Sequence, residues 1–388
     1  MDADAELLLC CARLEAGPEQ RDRIEQLLAA GPDWARLQQL ADRHGLIPLL
    51  HRQLTPFSVP KAVLVDLWHR DELNRRRNQA MAAELLRVLA LLQAQGIAAI
   101  PYKGPVLAVS VYRDLGLRQF GDLDLLLRAA DLAPALALLE GQGYQPEFPA
   151  ALLATMLRAK AQYHLTLHHP DTGHIVELHW KTDAEFPVEA LDDDAWWARL
   201  DSVELEGATV PSLAVPDLLL ILCLHGSKHH WGSLAWLVDV AELIRQQPGL
   251  DWPRLRQRAE DLRAWRRLAL ALHLARTLLD TPVPADLARA AAATPQVEPL
   301  TTRIVRALFD DEAPEMGVLT RLRFDAQLYD RPTQAAAFIL RTLLLPSLAE
   351  RTRWPLPRPL AFLYLPLRLA RLAWKHGTRP FQRTEKNN

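Results

Sequence analysis

Residues Ile100 to Arg128 read IPYKGPVLAVSVYRDLGLRQFGDLDLLLR. The pattern predicts a strand closing at Lys103-Gly104, a short apolar helix, a polar turn carrying Arg118, and a second strand holding Asp122 and Asp124. Alternate residues of a strand share a face, so the two carboxylates stand side by side while Leu123, Leu125 and Leu127 point into a core. Neighbouring acids repel unless a positive charge sits between them, and hard divalent cations take carboxylate oxygens together with substrate phosphates. Gly104 opens a helix whose first N–H groups are free to receive a phosphate. On the D-L-D triplet alone, a surface strand with one wet face is the plainer reading. A Lys-Gly turn, an arginine and an acid pair within 22 residues favour a place that holds metal and triphosphate together.

Three motifs follow one another here: K-G-x-x-L from Lys103, Y-x-D-x-G-x-R from Tyr112 to Arg118, and G-D-x-D-L-L-L from Gly121. Together they resemble the bacterial family of uncharacterised nucleotidyltransferases within the polymerase-β-like superfamily. The resemblance runs from about Gln95 to Leu243. It implies a Gly-Ser turn after the first strand, an Asp-x-Asp on the second, and a third acid on a later strand. The chain departs at the turn, where Lys103-Gly104-Pro105 stands in place of Gly-Ser. A lysine there substitutes a point charge for the missing hydroxyl.

The third acid has one candidate. His164 to His169 alternates as a strand, Pro170-Asp171-Thr172-Gly173 is a turn, and His174 to Trp180 returns, so spacing and turn chemistry give a hairpin. Glu177 and His179 share a face of the second strand. The resemblance implies that Glu177 completes the triad; without it, Glu177 reads equally well as a partner of a neighbouring histidine. Five histidines crowd this hairpin, but several fall on opposite strand faces, which disfavours a zinc site needing converging ligands. His179 is expected to contact phosphate or substrate.

Further along, Pro216 opens a strongly apolar helix leading into His225-Gly226-Ser227-Lys228-His229-His230-Trp231, and a following helix carries Trp236 and Asp239. In the resembled family such a segment packs across the core. Lys228 and His229 are expected to neutralise the triphosphate; Asp239 reads as an anchor for Lys228 or for local helix packing.

The rest of the chain sets the frame. Its 388 residues are 49% hydrophobic and 24% charged, ordinary for a soluble globular protein. Abundant Ala, Leu and Arg predict a mainly helical α+β fold, with a small mixed sheet near 97–102, 121–127, 163–169 and 174–180. Helical regions flank it, giving expected regions 1–94, 95–215 and 216–388. A long helix from about Pro60 to Gln95 carries Arg75, Arg76 and Arg77, either a solvated face or a nucleotide-facing one. Three cysteines build no disulfide framework, the N-terminus lacks a basic leader, and no apolar run reaches 18 residues. These features predict a cytoplasmic protein. A net charge of −2 gives no global pull toward nucleic acid. The segment Arg351–Asn388 holds nine Lys or Arg against Glu385, a net of +8, leaving −10 elsewhere. It reads as a packed terminal helix with a frayed basic end, or as a contact for a membrane surface or a partner.

The expected activity is transfer of a nucleoside monophosphate from an NTP, ATP among them, to a small-molecule, peptide or protein acceptor, with pyrophosphate release. Mg²⁺ (or Mn²⁺) would be held by Asp122, Asp124 and Glu177, the catalytic acids, while Lys103, Gly104, Arg118, His179, Lys228 and His229 bind the nucleotide. A basic stripe with interleaved aromatics is missing around the core, so nucleic acid is the disfavoured acceptor. The alternative is an inactive NTP-binding protein that keeps the fold, motivated by the missing serine.

Overall fold

The computed structural model describes residues 2–148, 163–181, 194–310 and 316–344, with scattered positions between 360 and 367. The chain is α+β and mainly helical, with one five-stranded mixed sheet and one two-stranded hairpin among the described residues. Compactness divides it into Met1–Met316 and Gly317–Asn388.

In the first unit the sheet order is β1-β2-β5-β4-β3, with β1 Ala99–Pro101, β2 Leu123–Leu127, β3 Gln145–Pro146, β4 His164–His168 and β5 Ile175–His179. β2 pairs antiparallel with β1 and parallel with β5; β4 pairs antiparallel with β5 and with β3. The four long-expected strands form. β3 is an additional edge strand, and its two residues carry too little alternation to announce it. β2 is buried along its whole length, not on one face only. As an inner strand its Leu126 is covered like Leu125, and each leucine contributes about 1.5–3 kcal/mol of transfer free energy.

Helix Lys61–Ala94 ends at Gly96, whose φ of +70° a glycine adopts without strain, and the chain then enters β1. The short helix Gly104–Tyr112 packs against β2, the long helix and helix Leu234–Arg245. The hairpin β6 (Asp201–Leu205) and β7 (Ala208–Ser212), turning at Gly207, lies against β1 and helix Gly104–Tyr112. Helix Val215–Lys228 packs with Leu234–Arg245 and Trp265–Leu279. A 3₁₀ turn, Ala129–Asp131, runs straight into helix Leu132–Glu140, and Asp131 at its N-cap makes no side-chain capping bond.

The second unit holds helices Val318–Gln327 and Pro332–Leu344, which pack together around Phe324 and the Tyr329–Phe338 ring pair at 5.4 Å. Most of the basic segment Arg351–Asn388 lies outside the described residues. Among the described residues no helix is long and apolar enough to cross a membrane.

Candidate active site

The Lys103-Gly104 turn is shaped by close approach. Gly104 has φ +54°, and a Cβ there would lie 3.2 Å from the Asp122 carbonyl oxygen. Only glycine brings the helix start this near the first residue of the acid pair without strain. Gly104 sits beneath the acids and does not line the cavity they face.

The loop between helix Gly104–Tyr112 and β2 is pinned by the long helix. Asn74 donates to the Gly116 carbonyl at 2.8 Å, and Asn78 donates to those of Leu115 and Arg118, each at 2.7 Å. Arg75 pairs with Asp114 at 2.7 Å and Arg77 donates to the Phe120 carbonyl, while Arg76 pairs with Glu72 on the surface. The arginine triplet is thus neither a wholly solvated face nor a nucleotide contact. Two of its members brace the loop that carries Arg118.

Arg118 is fixed from the other side by Asp239. Its Nε and Nη2 donate to the two carboxylate oxygens at 2.9 and 3.0 Å, and Tyr112 donates its hydroxyl proton to Asp239 at 2.7 Å. This bidentate arrangement is among the stronger charge-assisted bonds. Burial opposes the guanidinium charge, and Asp239 outweighs it. Asp239 therefore anchors Arg118, not Lys228 as one of its readings has it. Lys228 instead meets the Tyr163 hydroxyl.

The acids converge by strand register. Asp124 and Glu177 are direct partners across the parallel β2–β5 pair. Lys103 Nζ lies 3.0 Å from Asp124 Oδ1, and His179 Nε2 lies 3.1 Å from that same oxygen and 3.1 Å from Glu177 Oε2. Asp124 Oδ2 is buried with no partner. Burial pushes the Asp124 carboxyl up, but Lys103 and His179 outweigh it and hold it well below the usual carboxylate range. Glu177, opposed by burial and favoured by His179, is also lowered. For Asp122 the balance goes the other way: burial and the Asp124 charge outweigh the attraction of Lys103 and Arg118 and push it up to about 6. One acid of the pair resists ionisation, as three like charges in one place require.

One cavity of about 510 Å³ collects these groups. Lys103, Arg118, Asp122, Asp124, Glu177, His179, Lys228 and His229 all line it. Its volume is in the range of small-ligand sites. His179 lies between two carboxylates, with its Nε2 3.1 Å from an oxygen of each, and so bridges the acids. His164, on β4 directly across from His179, stacks on it at 5.1 Å between ring centroids. The expected scatter over opposite faces does not hold for this pair, since cross-strand partners share a face, and His168, four residues from His164 on β4, lies on that face too. Sequence reading gave no role to Tyr102, Tyr163 or Trp236, which also line the cavity. Their positions follow from the helix–sheet packing, and only the adjacency of Tyr102 to Lys103 hints at one of them.

Residues 30–280 match the model of a family described as uncharacterised nucleotidyltransferase. The chain belongs to this nucleotidyltransferase family. The match covers more than half of the chain and extends beyond the Gln95–Leu243 segment that carries the motifs, taking in the long helix and helix Trp265–Leu279. No curated protein and no solved structure shows significant similarity to it.

Proposed function

We propose that this nucleotidyltransferase transfers a nucleoside monophosphate from an NTP to a non-nucleic-acid acceptor, with a divalent cation and release of pyrophosphate. The observation that carries the reading is the in-register pairing of Asp124 with Glu177 beside Asp122, in a cavity also lined by Lys103, Arg118 and Lys228. The donor set fits a cation: three carboxylates face one space, and Asp124 Oδ2 is buried and unpaired, a costly state that a bound ion relieves. Such a cation would be held by Asp122, Asp124 and Glu177 and would supply positive charge against the triphosphate and the departing pyrophosphate.

The chain's own residues supply the rest. In the transfer, the acceptor oxygen bonds to the α-phosphorus, the bond to the β-phosphate oxygen breaks, and the acceptor proton passes to a carboxylate. Glu177, ionised at neutral pH and at the cavity wall, is suited to take that proton. Arg118, immobilised by Asp239, and Lys228, across the cavity, orient phosphate oxygens. Lys103 contributes a point charge where the superfamily places a serine hydroxyl.

The experiment is incubation with Mg²⁺ or Mn²⁺, each labelled NTP and a panel of acceptors, measuring pyrophosphate. The wild type should release it, and Asp122→Ala with Asp124→Ala should not. Release unchanged in the double variant excludes this cavity as the source. Tight NTP binding without product under every acceptor points to the inactive NTP-binding alternative.

A further inference from the structure

We infer that His164, Glu177 and His179 form a binding position for a transition-metal divalent cation, one that discriminates against Mg²⁺. The inference goes beyond nucleotidyl transfer, because it concerns metal binding without nucleotide. The three side chains come from paired strands β4 and β5. One ligand atom from each lies within 4.8 Å of the others. His179 Nε2 is 3.1 Å from Glu177 Oε2, and His164 Nε2 is 3.7 Å from Glu177 Oε1. Ligand atoms around a tetrahedral ion with bonds near 2.1 Å stand about 3.4 Å apart. The observed span of up to 4.8 Å therefore closes with roughly 1.4 Å of side-chain movement on fixed strands.

A second observation points to a ligand here. Asp124 is 3% exposed, and its Oδ2 lacks a partner although Oδ1 meets the same His179 Nε2. A buried carboxylate oxygen left unpaired on the residue that already holds His179 is a polar group that a ligand at this position would satisfy. The chemistry of the set decides the ion. Two imidazole nitrogens with carboxylate oxygens suit Zn²⁺, Co²⁺ or Mn²⁺, whereas Mg²⁺ requires near-octahedral oxygen ligands. Tyr102 and Tyr163 stand edge-on or tilted against the His179 ring at 5.4 and 6.0 Å and limit its rotation. That fixes the imidazole in place, as good metal ligands are fixed.

The test uses the full chain without nucleotide. Zn²⁺, Mn²⁺ and Mg²⁺ are titrated calorimetrically at pH 7.5, and Co²⁺ is added as a spectroscopic probe of nitrogen ligation. The proposal expects Zn²⁺ and Mn²⁺ to bind at least tenfold more tightly than Mg²⁺, and Co²⁺ to give visible absorption bands. His164→Ala should weaken Zn²⁺ by tenfold or more, of the size seen when a metal site loses a supporting group. It should leave Mg²⁺ affinity unchanged. If His164→Ala fails to fold by circular dichroism, His164→Gln takes its place. Equal affinities for Zn²⁺ and Mg²⁺, or Zn²⁺ binding indifferent to position 164, overturn the site. Neither result touches nucleotidyl transfer, whose test is pyrophosphate release.

Discussion

Lys103 Nζ and Asp124 Oδ1 form an ion pair at 3.0 Å, with the lysine ammonium on a buried carboxylate that the proposed chemistry assigns to a cation. Lysine and divalent cation therefore share one carboxylate, the ammonium on Oδ1 and the unpaired Oδ2 open to the cation, and their like charges oppose each other across it. On triphosphate binding the ammonium has a second place to go, as a point charge against phosphate. Lys103→Met is expected to tighten Mn²⁺ binding in the absence of nucleotide and to weaken the subsequent binding of NTP. Titration calorimetry in the two orders of addition measures both effects. A variant weaker for both ligands would show that Lys103 organises the acids without opposing the cation.

The Arg118–Asp239 pair is buried and bidentate, so removing one partner leaves the other charged and unsatisfied. Asp239→Asn should cost about 3–5 kcal/mol in urea unfolding, the usual penalty for breaking a buried pair. Asparagine keeps an oxygen for the Tyr112 hydroxyl but sets an NH2 donor against the Arg118 Nη2 donor. The double variant Arg118→Met, Asp239→Leu should lose less than the sum of its two singles, because neither charge is left stranded. Additive losses would mean that the pair does not interact energetically.

Asp122 gives the pH dependence. Its folded carboxyl titrates near 6, above the ordinary value of 3.8, because burial and then Asp124 disfavour its charge. Between those two values the folded state binds more protons than the unfolded one, so stability falls as pH rises through this window. Above about pH 6 the folded protein carries the full cost. Asp122→Asn removes it and should raise stability at pH 7.5 by up to about 3 kcal/mol. The gain should shrink as pH falls through this window and vanish only well below pH 3.8, where the wild-type acid is protonated in both states; at pH 4 most of it should already be lost. Thermal melts of the two proteins at the two pH values check it, and a gain of equal size at both would contradict this origin.

Much of this arrangement was legible in the sequence, and the missing parts share a physical cause. The strands, the hairpin turn at Gly173 and the Lys103-Gly104 entry into a helix are local, written in alternation and turn chemistry over a few residues. The grouping of Asp124 with Glu177 needed the resemblance, because parallel register between strands some 50 residues apart leaves no local trace. The partner of Arg118 lies 121 positions away. Nothing near Asp239 distinguishes an anchor for that arginine from an anchor for Lys228. The Arg75 and Arg77 braces were likewise hidden, since a basic triplet on a long helix looks the same whether it faces water or a loop. His164 and His179 could have been paired from the hairpin alone: with the turn centred between Asp171 and Thr172, they stand directly opposite.

The most direct measurement is the melting temperature with and without a non-hydrolysable NTP and Mn²⁺, in the wild type and in Asp122→Asn, Asp124→Asn. At about 100-fold over the dissociation constant, a ligand bound only by the folded state adds roughly 2.7 kcal/mol. For a unit of this size that amounts to a few degrees. The wild type should show this shift, larger with metal and nucleotide together than with either alone, and the double variant should show none. A full shift in the double variant would place the triphosphate elsewhere and contradict the assignment of this cavity.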